Sequence, residues 1–331
     1  MHRSKTASGL FLMVLAALAF GTSGAFVKPL FEAGWTPAAG VAARGLIGGI
    51  LIMPIALIVL RGRWSALWHA RLRVLGMGLV GVAGTQLAYF AAVERIPVST
   101  AILIEYLAPV LLVAVSWAVT RRAPRAVVVI GSAIALGGLV LVVAPEGGGG
   151  LDALGLLFAG IACVGCAAYY VIAARPSDGL PPVALAAAGL LLGGIVSALI
   201  GLVGLVPFAA PTTEVELLGS PAPWWVPLLV VSMVGTGFAY VTSIVATARL
   251  GSRLASFAGL LEVVAAAGYA AILLGESLTV WQLVGGALIL VGIAFVHGDR
   301  TPASAAAMPP VDESPGVPVA ASPRSGRPEE R

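Results

Sequence analysis

The stretch Gly84-Thr85-Gln86-Leu87-Ala88-Tyr89 returns later in the chain as Gly235-Thr236-Gly237-Phe238-Ala239-Tyr240. A second stretch, Gly131-x-Ala133-x-x-Leu136-x-Gly138, returns as Gly285-x-Ala287-x-x-Leu290-x-Gly292 at an offset of 154 residues, which also sets Arg95 on Arg249 and Ala101 on Ala255. Gly48-Gly49-Ile50 likewise matches Gly193-Gly194-Ile195. Self-similarity repeated in one order through a chain marks a duplication of one structural unit. Its matched segments lie in apolar runs two, three and five and again in runs seven, eight and ten, so the unit carries five runs.

Those runs fall at about residues 9–27, 37–60, 74–93, 98–119, 126–143, 154–174, 183–205, 225–246, 254–274 and 280–296. Of the 331 residues, 59% are hydrophobic and only 10% charged, outside the range of a water-soluble domain. A helix needs roughly 20 apolar residues to cross the hydrocarbon core. The expected fold is therefore an all-α integral membrane protein with ten transmembrane helices arranged as two inverted five-helix repeats. Inversion follows from the odd number: after five crossings the second copy starts from the opposite side. The expected organisation is an N-terminus at 1–8, repeats at 9–143 and 152–297, and a tail at 298–331. Seven prolines among small and charged residues should keep that tail from burying a core.

The net charge of +4 does not point to nucleic acid, because the basic residues are scattered through short connections. With the N-terminus in the cytoplasm, all Lys and Arg except Lys28, Arg44 and Arg95 fall on the inner side or in the tail, whereas the outer connections carry Glu32, Glu94, Glu146, Asp152, Glu214, Glu216 and Glu276. Such a bias predicts a multi-pass protein of the cell membrane with both termini cytoplasmic. The first run follows basic residues as a signal peptide would, yet nine runs follow it and no clean cleavage site ends it, so it reads as a retained helix. Trp35, Trp64, Trp68, Trp224, Trp225 and Trp281 fall near span ends and read as an interfacial belt. The repeated glycines of runs five and ten read as close helix contacts.

An ionisable group at mid-span costs about 2.5–3.5 kcal/mol or more, and so usually faces a cavity or a partner. Three stand inside the runs: Arg44, Glu105 and Glu262. Arg44 and Glu105 each lie on an inward-running helix about 10 Å below its outer end, at 1.5 Å per residue. Their repeat counterparts are Gly189 and Gly259, so both charges are missing together from the second half. That pairing predicts an ion pair, or joint binding of a zwitterionic substrate; snorkelling to the headgroups is the plain alternative. Glu262 is placed about 12 Å from the inner end. A carboxylate sheltered from water can take up and release a proton, which suits Glu262, with Glu105, to proton coupling. Tyr106, Tyr89, Tyr240, Thr85, Thr236 and Gln86 supply hydroxyl and amide groups for lining the substrate site. Cys163 and Cys166, one helical turn apart among Ala, Gly and Val, read as packing residues rather than metal ligands.

In addition, Val93-Glu94-Arg95-Ile96-Pro97 with Ile104-Glu105-Tyr106-Leu107-Ala108-Pro109 resembles helices three and four of the threonine/homoserine exporter branch of the drug/metabolite transporter superfamily. Leu273-Leu274-Gly275-Glu276 resembles the end of helix nine in its EamA-type ten-helix members, and Arg44 sits where many of them carry a helix-two arginine. The resemblance covers about residues 9–297 and implies the ten-helix fold and efflux of amino acids or related metabolites. One departure is Glu262-Val263, where members often have Glu-Pro, which puts a proline kink there in question. Export of drugs or other amphipathic compounds is the nearest alternative.

Other classes fit less well. A membrane enzyme would show paired histidines or a mid-span Asp, and His2, His69 and His297 all lie at edges. A channel would show a repeated polar filter, and no phosphate-binding Gly-x-x-x-x-Gly-Lys loop is present to drive transport with ATP. The expectations are thus no catalytic residue, no metal, no cofactor and no nucleic acid. The partners are the lipid bilayer, a small-molecule substrate and protons, and a homodimer is compatible with the sequence.

Overall fold

The computed structural model describes residues 2–93, 95–96, 101, 104–143, 152–175, 179–217, 219–273 and 280–298. The expected tail from 299 onward, Leu274-Gly275-Glu276, Glu94, Glu146 and the Gly/Pro-rich connections at 145–150 and 176–178 lie outside the described residues. Those that are described belong to one compact unit, Met1–Thr301.

Among the described residues seven helices are long and apolar enough to cross a bilayer: Thr6–Glu32, Pro37–Leu60, Arg71–Ala92, Ala153–Ala174, Pro182–Leu202, Trp225–Leu250 and Ser252–Leu273. Three shorter apolar helices, Ala108–Thr120, Ala126–Leu141 and Leu283–Val296, complete the set. In chain order these are spans one to ten, and the protein is an all-α, ten-helix membrane protein. Spans three and eight are not uniform α-helices, since each passes through a π-helical segment, Gly76–Gly84 and Met233–Phe238. Wide turns of this kind often mark functional sites, and here they occur in the same span of each repeat.

The two repeats are interleaved. Span one packs on spans eight and nine, and its counterpart, span six, packs on spans three and four. Span two meets spans seven and eight, while span seven meets spans two and three. Exchanging the repeats therefore leaves the packing scheme unchanged. Two arginines that the 154-residue offset relates make matching staples. Arg95, after span three, pairs with Asp152 at the start of span six at 3.6 Å; Arg249, near the end of span eight, donates to the Ser8 hydroxyl in span one at 3.1 Å. Both contacts are exposed and contribute little energy. Their value is as markers of the repeat.

Glycine brings the paired spans together. A Cβ at Gly138 would sit 2.5 Å from the Gly285 carbonyl oxygen, and one at Gly292 would sit 2.6 Å from that of Gly131. Spans five and ten therefore touch backbone to backbone along the repeated motif. The matched glycines of spans two and seven do the same, with a Cβ at Gly194 only 2.8 Å from the Leu46 nitrogen. Lipid supplies no hydrophobic drive for helix association, so dispersion contacts at such close range hold the bundle together.

Several expectations are corrected. Run four is not one continuous helix: Tyr106 and Leu107 form a turn before the helix Ala108–Thr120. Run nine is also interrupted, at Leu260 between Ser252–Gly259 and Leu261–Leu273. Trp35 is not an interfacial residue. It is 6% exposed, packs beside Trp224 with ring centroids 5.8 Å apart and donates its indole N–H to the Pro211 carbonyl at 2.8 Å. The partner segment is the connection between spans seven and eight. Its short hairpin, β1 Val215–Leu217 and β2 Ser220–Ala222, pairs Glu216 with Pro221 and was not anticipated. The hairpin's Val215 joins Leu30, Ala39 and Leu228 in a small core that covers this end of the bundle.

Adjacent glycines in span five test the packing. Gly138→Leu should destabilise the protein by about 1–3 kcal/mol through overpacking, lowering its thermal midpoint in detergent. Gly137→Leu should not, because a Cβ at Gly137 meets nothing within 4 Å. Equal midpoints for the two variants would refute the backbone contact.

Candidate functional site

Span four breaks for a legible reason. Pro109 has no N–H to return to the Glu105 carbonyl, and proline is well placed in the first turn of a helix that starts just before it. The chain compensates with a tighter bond, from the Leu107 N–H to the Ile104 carbonyl at 3.1 Å, and restarts as a helix at Ala108. The 154-residue offset carries Tyr106 onto Leu260, and there span nine breaks as well, although Val263 stands where Pro109 does. Bonds from the Leu260 N–H to the Phe257 carbonyl and from the Val263 N–H to the Leu260 carbonyl, both 3.1 Å, replace the normal helical ladder. Gly259, just before the break, lets Tyr170 pack close, since a side chain there would collide with the Tyr170 hydroxyl. Glu262 consequently lies in the first turn of a restarted helix, where the positive end of the helix dipole faces a carboxylate.

These breaks set the two carboxylates close enough to interact. Glu105 feels both Glu262 and the Arg44 guanidinium, and Glu262 feels Arg44 in turn. Tyr106, in the turn of span four, lies within electrostatic reach of the Glu262 carboxylate, so the two breaks face each other. Tyr89 lies within electrostatic reach of both carboxylates, and Tyr240 within reach of both and of Arg44. Among the described residues Arg44 makes no direct ion pair with either carboxylate.

Three residues that sequence reading left out join the group. Tyr170 neighbours Glu105, Glu262 and Cys166, and Tyr169 stacks edge-on against Tyr170 and Tyr240 with centroids 5.2 and 5.7 Å away. The Tyr169 hydroxyl donates to Ser243 Oγ at 2.8 Å, joining span six to span eight. Phe20 of span one closes on Tyr240 at 5.2 Å. Every tyrosine of the chain except Tyr269 is thus gathered here. Both cysteines pack in the main core, Cys163 buried and Cys166 half-buried, and Cys166 also lies within electrostatic reach of both carboxylates. The signal in the sequence was Tyr169-Tyr170 itself, because a hydroxyl placed in a span needs a partner.

Arg44, Tyr89, Glu105, Tyr106, Cys166 and Glu262 are surrounded by helices yet keep some accessible surface. The remaining candidates stand apart: Thr85 is buried and spends its hydroxyl on the Val80 carbonyl at 2.7 Å, across the π-helical turn. Thr236 is buried with its methyl group against Gly48. Gln86 is half-buried on the third span. Among the described residues no three His, Cys, Asp or Glu side chains gather as a metal ion would require. Two carboxylates, one guanidinium and a ring of phenols can instead hold a small molecule carrying an amine and an acid group.

Comparison with known proteins agrees with this architecture. One solved structure, described only as "Crystal structure of protein", is 23% identical with a TM-score of 0.70, covering 87% of this chain and 97% of its own. That likeness concerns the fold. No curated protein matches the chain. The EamA-like transporter family, however, matches twice, over residues 7–144 and 153–298, each match holding one set of five spans. Nearly the whole helical bundle is accounted for in this way, and the chain belongs to the EamA-like transporter family.

Proposed function

We propose that the chain exports amino acids or related small metabolites across the cell membrane in exchange for protons. The two repeats lie inverted in the bilayer with both chain termini in the cytoplasm, as the odd span count and the distribution of Lys and Arg support. The repeat boundaries 9–143 and 152–297 are part of this reading. One observation carries it: Arg44 of span two and the carboxylates of spans four and nine, drawn from both repeats, lie within electrostatic reach of one another, with Tyr89, Tyr106 and Tyr240 beside the carboxylates. A zwitterion satisfies the set, its amine at Glu105 and Glu262 and its acid group at Arg44. Tyr89, Tyr106 and Tyr240 line the space, and Glu262 releases its proton as substrate arrives. Alternating access then follows from rocking one repeat against the other about a site at their junction.

A second reading, export of amphipathic cations, is favoured by the same tyrosines, whose rings attract positive charge. Liposomes holding the purified protein separate the two. Counterflow of labelled amino acids should exceed that of a lipophilic cation, and Arg44→Gln should reduce it by about tenfold or more, the worth of one charged hydrogen bond. Counterflow of the cation alone would overturn the amino-acid reading.

Coupling has its own test in the same vesicles. Glu262→Gln should still exchange substrate but lose its response to an imposed pH gradient; a full response would remove Glu262 from the coupling step. The native thiol reports on the space directly. In a Cys163→Ala background, a methanethiosulfonate reagent should modify Cys166 and inhibit transport, and saturating substrate should slow the reaction. Modification that leaves transport intact would place Cys166 outside the pathway.

A further inference from the structure

The helical segment that leads from span two into the first turns of span three has two unlike faces. It runs from Trp64–His69 into Arg71–Leu75, and the bonds from the Ala70 N–H to the Ala66 carbonyl at 2.9 Å and from the Val74 N–H to the Ala70 carbonyl at 3.0 Å keep one helical register through the turn at Ala70. Residues four apart therefore share a face. Ala66 and Ala70 are buried and join the main core with Leu180, while Val74 packs against it. On the opposite face Trp64, Trp68 and Leu72 are 54%, 69% and 74% exposed. Large apolar side chains in a stripe, on a segment next to the bilayer, need a cover.

The charges beside that stripe are sorted as well. Arg73 turns inward, its Nε donating to the Ile172 carbonyl at 3.1 Å and its Nη2 to that of Ala173 at 3.4 Å, at the C-terminal end of span six. Arg61, Arg63 and Arg71 stay exposed. The Arg71 guanidinium lies over the Trp68 ring, 5.1 Å from its centroid, and donates to the Trp68 carbonyl at 3.3 Å, so cation and aromatic ring are held as one unit. No Asp or Glu occurs between Glu32 and Glu94, and among the described residues no carboxylate pairs with these three arginines. An apolar stripe bordered by exposed guanidinium groups is the complement of an acyl chain under a phosphate.

We infer that this helix is a binding site for an anionic phospholipid: Trp64, Trp68 and Leu72 enter the acyl boundary, while Arg61, Arg63 and Arg71 hold the phosphate and the anionic headgroup. The leaflet is the cytoplasmic one on the orientation proposed above, but headgroup selection does not depend on that orientation or on the substrate. A vesicle that transports no amino acid therefore leaves this inference standing.

The test uses the full chain, purified in mild detergent and exposed to equal amounts of phosphatidylglycerol and phosphatidylcholine, with retained lipid counted by native mass spectrometry. Phosphatidylglycerol should be retained over phosphatidylcholine by at least about fivefold at low salt, the worth of one arginine near an anionic surface. Arg61→Gln/Arg63→Gln/Arg71→Gln should bring the ratio close to one, and Arg121→Gln/Arg122→Gln should leave it in place. Raising salt on the unaltered protein should also collapse it, a readout that needs no variant to fold. A ratio that survives the triple substitution or high salt would overturn the site. So would an apolar stripe that is covered by a second copy of the chain instead, seen as a dimer mass that binds neither lipid selectively.

Discussion

A charge buried among lipid-embedded helices is tolerated only in company, and this constraint organises the molecule. Arg44, Glu105 and Glu262 would each be costly alone at such depth. Together, with Tyr106 close to Glu262 and a restarted helix pointing its N-terminus at the same carboxylate, they form a compensated set. The three residues come from spans two, four and nine, so the set exists only when both repeats are folded against each other. Close approach at Gly138 and Gly292, and at Gly194, is what makes that interleaving possible.

The interruptions at Tyr106–Leu107 and Leu260 have the same logic. Irregular backbone at membrane depth leaves polar groups without helical partners, which is acceptable only where protein or a water-filled cavity can satisfy them. Both interruptions adjoin the carboxylates, in equivalent spans of the two repeats. Pro109 stands just after the first; at the second, Val263 stands in the equivalent place and the chain breaks without a proline.

Much of this was legible in the residues. Ten spans, the duplication and the glycine contacts all follow from local pattern and from the length a bilayer demands, so no knowledge of packing was needed. Arg44, Glu105 and Glu262 stood out because charges are so rare in the spans. The breaks were harder to read. Hydropathy runs unbroken through 98–119 and 254–274, and only Pro109 in the first run signalled an interruption. Tyr169 and Tyr170 were missed for a different reason: what they face is set by spans one, four, eight and nine, not by their own helix. Trp35 was misplaced because the hairpin that buries it comes from a connection far along the chain.

The central claim is that the three buried charges act as one unit. A thermodynamic cycle on the folded protein tests it most directly, with thermal stability measured for Arg44→Met, for Glu105→Gln with Glu262→Gln, and for all three together. Charges in one network should couple by at least about 0.5 kcal/mol, the triple variant being more stable than the separate losses would add up to. Losses that simply add would show that Arg44 and the carboxylates are independent, and that no shared site joins the repeats.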